Sequence, residues 1–243
     1  MKSQHHIAVG ILFVVCIGFI TEPVYPARYD QAVVLQGPVK KTANLSGFAG
    51  EKFVVGVPNS QKDDYAIYGF TSEERRDNPC YVTILTENIN DSGKKLDTKK
   101  NLCGGKEKSR EMKVKYSDSD HGKRVFVSGV QVCMNNKDTR VKGLKIRGKA
   151  IDSLGELVAL QSSISGISMG GIQKIVSTEP SDKRPNCNKN WKKWAQCDGN
   201  SIATSAILHF DAGKTPRALT GIELNCRSVN LSSSGGVGAV RTK

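Results

Sequence analysis

The sequence predicts an all-β domain with a pseudo-threefold internal repeat, on three observations. A short phrase recurs three times, the strand signals are β-branched with a period of two, and nothing beyond the N-terminal segment shows a long, capped helical period. The phrase reads Asp63-Asp64-Tyr65-Ala66-Ile67-Tyr68-Gly69-Phe70, then Lys137-Asp138-Thr139-Arg140-Val141-Lys142-Gly143-Leu144, then Thr215-Pro216-Arg217-Ala218-Leu219-Thr220-Gly221-Ile222. Each copy opens on turn formers, sets an apolar residue two places before a glycine and another directly after it. The glycines at 69, 143 and 221 are 74 and 78 residues apart. Three such units in 243 residues predict one domain rather than three.

The elements follow in order. Lys2, His5 and His6 precede an almost wholly apolar run from Ile7 to Ile20, which reads as a secretory signal over residues 1–20, cleaved between 18 and 27. That run is short for a bilayer span, and a polar, proline-bearing segment follows it. Residues 52–57 supply the incoming strand of the first unit, with a turn-rich loop at 58–62 leading into the phrase. The lysine-rich residues 91–109 read as an exposed loop. Val114-Lys115-Tyr116 and residues 125–132 are β-branched strands. Leu144-Lys145-Ile146-Arg147 alternates, so Leu144 and Ile146 share one sheet face and Lys145 and Arg147 the other. The best helical candidate is 153–161, and 162–171 reads as a flexible connector or a tightly packed strand. Residues 203–210 form the third incoming strand and 222–227 its alternating partner. The repeat glycines serve either a positive φ or a close backbone approach. The domain spans 28–230, and a disordered tail occupies 231–243.

Secretion changes how the cysteines read. Cys16 leaves with the signal, and Cys80, Cys103, Cys133, Cys187, Cys197 and Cys226 remain. An even number in an oxidising compartment argues for disulfides, with fifteen possible pairings. No CxxC pair is present and only His121 and His209 remain, so neither a zinc site nor another cofactor is expected. Sequons at Asn44, Asn90 and Asn230 can carry glycans.

The formal charge is +13, and residues 94–149 hold 17 Lys or Arg against 6 Asp or Glu, which is +11 of it. Such a surface favours acidic glycans, other extracellular polyanions and anionic membrane surfaces, and intracellular nucleic acid is not expected. The basic set is Lys137, Arg140, Lys142, Lys145, Arg147 and Lys149. Lys145, Arg147 and Lys149 share parity, which makes a row of cations about 7 Å apart. Lys94, Lys95, Lys99 and Lys100 are taken to extend it. The plain alternative is a solvated, solubilising surface.

No catalytic constellation stands out. His209 and Asp211 lie two apart on a strand, and Asp63 and Asp64 are the weak candidates for paired carboxylates in glycoside chemistry. Adjacent acids in a turn more often cap the backbone. Trp191 and Trp194 pack the sheet or stack on sugar rings.

The third unit reads Trp191-Lys192-Lys193-Trp194-Ala195-Gln196-Cys197 and closes with Arg217-Ala218-Leu219-Thr220-Gly221-Ile222-Glu223-Leu224-Asn225-Cys226-Arg227. It resembles the vitelline membrane outer layer protein I family, whose repeats join a W-x-x-W start and a cysteine to a D-D-T-A-L-N-G-I-x-L-x-C strand. The phrase at 63–69 matches that signature too, and 138–146 matches it in part. The resemblance implies a three-sheet β-prism, its sheets facing a shared axis. It also implies a secreted component of an egg coat, matrix or extracellular fluid, structural or carbohydrate-associated. A glycan-transferring activity has been attributed to the egg-coat member, so the alternatives are an enzyme acting on amino-sugar polymers, or a basic defence or salivary effector. The resemblance implies a Cys197–Cys226 bridge. Cys103–Cys133 is the expected second bridge, leaving Cys80 with Cys187. The first two units depart from the pattern: Glu74 and Gly148 stand where a closing cysteine is expected, and neither unit opens on a tryptophan pair.

Overall fold

A computed structural model describes residues 33–57, 65–91, 93–105, 109–116, 124–151, 157–159, 181–183, 187, 189–213 and 215–231. The signal at 1–20, residues 232–243 of the expected tail, Asp63, Asp64 and the connector at 162–171 lie outside the described residues, while Leu231, the first residue of that tail, instead pairs with Val33 as the end of a strand. Fourteen strands are described, and none of the described residues is helical. They are β1 (Val33–Lys41), β2 (Ser46–Gly47), β3 (Glu51–Gly56), β4 (Tyr65–Arg75) and β5 (Asn78–Asn88). Next come β6 (Thr98–Asn101), β7 (Ser109–Lys115), β8 (Arg124–Met134), β9 (Val141–Ile151) and β10 (Leu157–Ala159). The last are β11 (Ser181–Lys183), β12 (Ala195–Gln196), β13 (Ser201–Phe210) and β14 (Leu219–Leu231).

These strands make three antiparallel sheets. The first runs β1-β14-β13-β3, with β2 also on β14. The second runs β6-β5-β4-β7, and the third runs β10-β9-β8-β12, with β11 also on β9. The edges meet pairwise: β3 packs against β6, β7 against β9 and β11, and β12 and β2 close the ring against β14 and β8. The fold is therefore a three-sheet β-prism. The inner faces share one core, with Phe70, Ile84 and Val114 from the second sheet, Val130, Leu144 and Ile146 from the third, and Leu208, Ile222 and Leu224 from the first. A second cluster of Val33, Ile89, Phe126, Ile151, Ile202 and Val229 gathers where the long strands begin or end away from their hairpin turns.

The three phrases occupy equivalent places. In each, the residue before the glycine has no partner across the hairpin. Ile67 faces Thr86 and Gly69 faces Leu85, so Tyr68 is skipped. Val141 faces Met134 and Gly143 faces Cys133, so Lys142 is skipped. Leu219 faces Phe210 and Gly221 faces His209, so Thr220 is skipped. Each is a bulge, which bends the strand and sharpens its twist. On its other side each glycine meets a further strand, at Lys115, Lys183 and Gly47 respectively. A Cβ on Gly69 would lie 2.5 Å from the Lys115 Cβ, and one on Gly221 would lie 2.7 Å from the Phe48 carbonyl oxygen. Close approach, rather than a positive φ, is what demands glycine here.

Several expectations need correction. β3 does not pair with the first phrase; it lies on β13 in another sheet, and β4 pairs with β5, which follows it. Within 153–161, Leu157–Ala159 is strand, because its backbone completes the edge of β9. The segment 91–109 is not all loop, since Thr98–Asn101 pairs with β5. That pairing also sets a disulfide: Asn101 faces Tyr81, so Cys103 meets Cys80. Cys133 instead joins Cys187. The expected Cys103–Cys133 and Cys80–Cys187 bridges fail because Cys80 and Cys103 belong to the second sheet and Cys133 to the third. Cys197 is bonded to Cys226.

Glu74 and Gly148, where a closing cysteine was looked for, serve other ends. Glu74 is buried against Lys142. Gly148 lies beneath Tyr116, whose ring carbon would stand 2.5 Å from an added Cβ.

Candidate functional site

The outer face of the third sheet collects the charged and aromatic side chains that the inner face excludes. Along β9, Leu144, Ile146 and Ala150 go to the core, so Lys145, Arg147 and Lys149 turn outward with the period of a strand. Trp191 pairs across from Cys133, and its ring lies under the Lys145 ammonium at 4.8 Å. Arg147 stacks over Trp194 at 4.0 Å, and Trp194 in turn lies over Gly129, where a Cβ would touch the ring at 3.4 Å. A cation above an aromatic face is attracted by the ring quadrupole, by about 0.5–1 kcal/mol at exposed sites. Arg147 also donates to the Gln196 side chain at 3.4 Å. Lys149 donates to the Gly199 and Ser201 carbonyls, and burial holds its ammonium pKa below the usual lysine value, with Asp198 opposing.

Other groups border this row. Gln131 faces Lys145 from β8 and donates to the Lys192 carbonyl at 2.6 Å, holding the tryptophan-bearing segment onto the sheet. Ser181 faces Lys145 from β11, and Lys183 lies two places along it. Lys192 pairs with Asp138 at 2.8 Å and sits 4.8 Å over the Phe48 ring. The tryptophans are half-buried beneath cations, so they present charge rather than bare rings.

The remaining members of the basic set do not gather here. Lys142 is fully buried, 2.8 Å from Glu74 and 2.7 Å from Asp77, and is corrected from a surface cation to an internal one. It has the parity of Leu144 and Ile146, which go to the core, and at the hairpin end of β9 the Glu74 and Asp77 carboxylates meet its charge. Arg140 is turned to Asp77 at 3.4 Å and to Asn78 at 2.6 Å. Lys137 is exposed in the turn between β8 and β9. Lys94, Lys95, Lys99 and Lys100 do not extend the row. Their strand and loop border the β6 edge, which meets β3, whereas the row lies beyond the opposite, β7 edge. Lys94 pairs with Asp91, Lys95 with buried Glu87, and Lys100 lies 3.7 Å over the Phe53 ring, while Lys99 is exposed.

His209 and Asp211 have separate partners. Asp211 accepts the Ala218 N–H and closes its turn. His209 is buried; its Nδ1 accepts the Gly50 N–H at 3.2 Å and its Nε2 faces Glu223 at 3.5 Å. Burial depresses the imidazole pKa, with Glu223 opposing and Lys52 reinforcing. Among the described residues no cluster of His, Cys, Asp or Glu is placed to hold a metal ion. Of the sequon asparagines, Asn44 is exposed, Asn90 clamps both backbone groups of Val33, and Asn230 donates to Gln36.

Sequence reasoning found the cation row from strand parity but missed its support. Only the register brings Trp191, Trp194, Gln131 and Ser181 to it. The paired spacing of 191 and 194 was the one available signal.

No family model matches the chain, and no curated protein matches it. Among solved structures, the Calystegia sepium agglutinin is similar at 10% identity and a TM-score of 0.39, over 79% of this chain and 99% of that one. The mannose-binding lectin from Champedak is similar at 7% identity and a TM-score of 0.39, over 78% and 97%. The Malaysian banana lectin is similar at 9% identity and a TM-score of 0.35, over 79% and 100%. At these scores the likeness adds nothing to the strand pairing, on which the architecture rests, and says nothing of a ligand.

Proposed function

We propose that the protein is a secreted, extracellular binding protein that holds acidic polymers on the outer face of its third sheet. The carrying observation is the row of Lys145, Arg147 and Lys149, its first two cations stacked on Trp191 and Trp194. Cations already held by rings and carbonyls lose less side-chain freedom on binding than free lysines do. Their spacing of about 7 Å suits the successive anionic groups of a linear chain. Three disulfides and the N-terminal apolar run support secretion. The repeat phrase supports kinship with the vitelline membrane outer layer protein I family, and with it a place in an egg coat, matrix or secreted fluid.

The test is retention on a heparin column at two salt concentrations, for the native protein and for Lys145→Ser/Arg147→Ser/Lys149→Ser. The native protein elutes at higher salt, and the triple variant elutes earlier, because exposed charge contacts are what salt screens. Equal retention of the two proteins would remove this face from the reading.

A further inference from the structure

We infer that the ligand at this face is an acidic saccharide carrying free hydroxyls beside its anionic group, rather than an acceptor-only polyanion such as inorganic polyphosphate. This rests on the binding face proposed above and narrows it. Lys145 is flanked on both sides at one level of the sheet, by Gln131 on β8 and by Ser181 on β11. Neighbouring strands are about 4.8 Å apart, so Gln131 and Ser181 stand about 9.6 Å apart with Lys145 between them, room for a sugar ring hydrogen-bonded at both edges. Gln131 spends an amide N–H on the Lys192 carbonyl, and its Oε1 has no partner among the described residues. Ser181 is exposed, and its hydroxyl both donates and accepts.

The set is therefore a cation between a hydroxyl and an amide that offers both its Oε1 and its second N–H. A polyphosphate or a DNA backbone seated on Lys145 brings only acceptor oxygens to this level. It can take the second Gln131 N–H but leaves the Oε1 without a donor. A saccharide puts its sulfate or carboxylate on Lys145, donates a neighbouring hydroxyl to Gln131 and exchanges a hydrogen bond with Ser181. A site that bonds a ligand hydroxyl discriminates against a ligand lacking it, because the site's own polar group is then left unmatched. Lys183, exposed and two residues along the same face of β11, stands ready for a second anionic group about 7 Å away.

The experiment titrates the intact protein with a heparin oligosaccharide and with inorganic polyphosphate of matched charge, at one ionic strength, and reads tryptophan fluorescence. Both tryptophans of the chain lie in this face, so the signal is local. The oligosaccharide is expected to bind about tenfold tighter, and Ser181→Ala and Gln131→Met are each expected to narrow that ratio about threefold or more. Gln131→Met also frees the Lys192 carbonyl, whereas Ser181→Ala leaves the tryptophan segment tied, so the second variant keeps the result readable. Polyphosphate binding as tightly as the saccharide, or a ratio unmoved by Ser181→Ala, would overturn the saccharide assignment and leave the polyanion face standing. Failure of both polymers to respond to Lys145→Ser would bring down the face and the assignment together.

Discussion

The Lys142 ammonium lies 2.8 Å from the Glu74 carboxylate, and neither side chain reaches solvent. The pair joins the bulge of the second repeat to the strand of the first. Asp77 adds a carboxylate and its carbonyl, and Asn78 accepts from Arg140 while donating to the Pro216 carbonyl of the third repeat. The hairpin turns of all three repeats are thus tied at one end of the prism. Removing the ammonium that a buried carboxylate faces is expensive, so Lys142→Ala is expected to cost about 3–5 kcal/mol, and Glu74→Ala less, because Asp77 still meets the ammonium. Lys142→Met/Glu74→Met is expected to cost less than Lys142→Ala, because both members of the buried pair are replaced together. Urea unfolding of the four proteins checks this.

The buried imidazole of His209 makes stability depend on pH. Its pKa lies below 6.5 in the fold, chiefly through burial. The unfolded chain takes up a proton near pH 6.5 that the folded chain refuses, so stability is full above that pH and falls as pH drops below it, until the folded pKa is reached. The slope contributed by this group is at most about 1.4 kcal/mol per pH unit. His209→Asn keeps an acceptor for the Gly50 N–H but does not titrate, so its unfolding midpoint should change less between pH 7 and pH 5. An unaltered profile in that variant would show that another group governs the acid limb.

The repeat glycines rank by what surrounds them. An added Cβ meets Lys115 and the Val114 carbonyl at 2.5 and 2.6 Å at Gly69, backbone at 2.7 Å at Gly221, and side-chain atoms no nearer than 3.0 Å at Gly143. Gly69→Ala and Gly221→Ala are therefore expected to destabilise by about 1–3 kcal/mol, and Gly143→Ala by less. Thermal unfolding midpoints of the three variants give the order directly.

The Cys133–Cys187 bridge lies just before the Trp191 segment and anchors it to β8. Cys133→Ser/Cys187→Ser should loosen that segment as well as lower stability by about 4 kcal/mol on the chain-entropy account. The expected readout is a red-shifted tryptophan emission, since the rings gain solvent. Cys80→Ser/Cys103→Ser, in a different sheet, should lower stability without moving the emission.

What could be read from residues alone was whatever repeats or alternates locally. The three phrases announced a pseudo-threefold domain, and the alternation at 144–147 put Lys145 and Arg147 outside. Lys142 counts as a surface cation only by its charge; it shares the parity of Leu144 and Ile146, which go to the core, and it is the most deeply buried charge of the set. The lysines near 94–100 are close in sequence to the basic strand but lie across the full width of a sheet from it.

The chain by itself determined its class, its threefold plan and the outward row of cations, because side-chain alternation and turn chemistry act over a few residues. Tertiary structure alone decided which cysteines meet, that Lys142 turns inward to Glu74, and that Trp191, Gln131 and Ser181 come to stand around Lys145. The neighbours of Lys145 are set by pairing between positions 14 to 58 residues apart in sequence, and only the closing of three sheets around one core selects the register that brings them together.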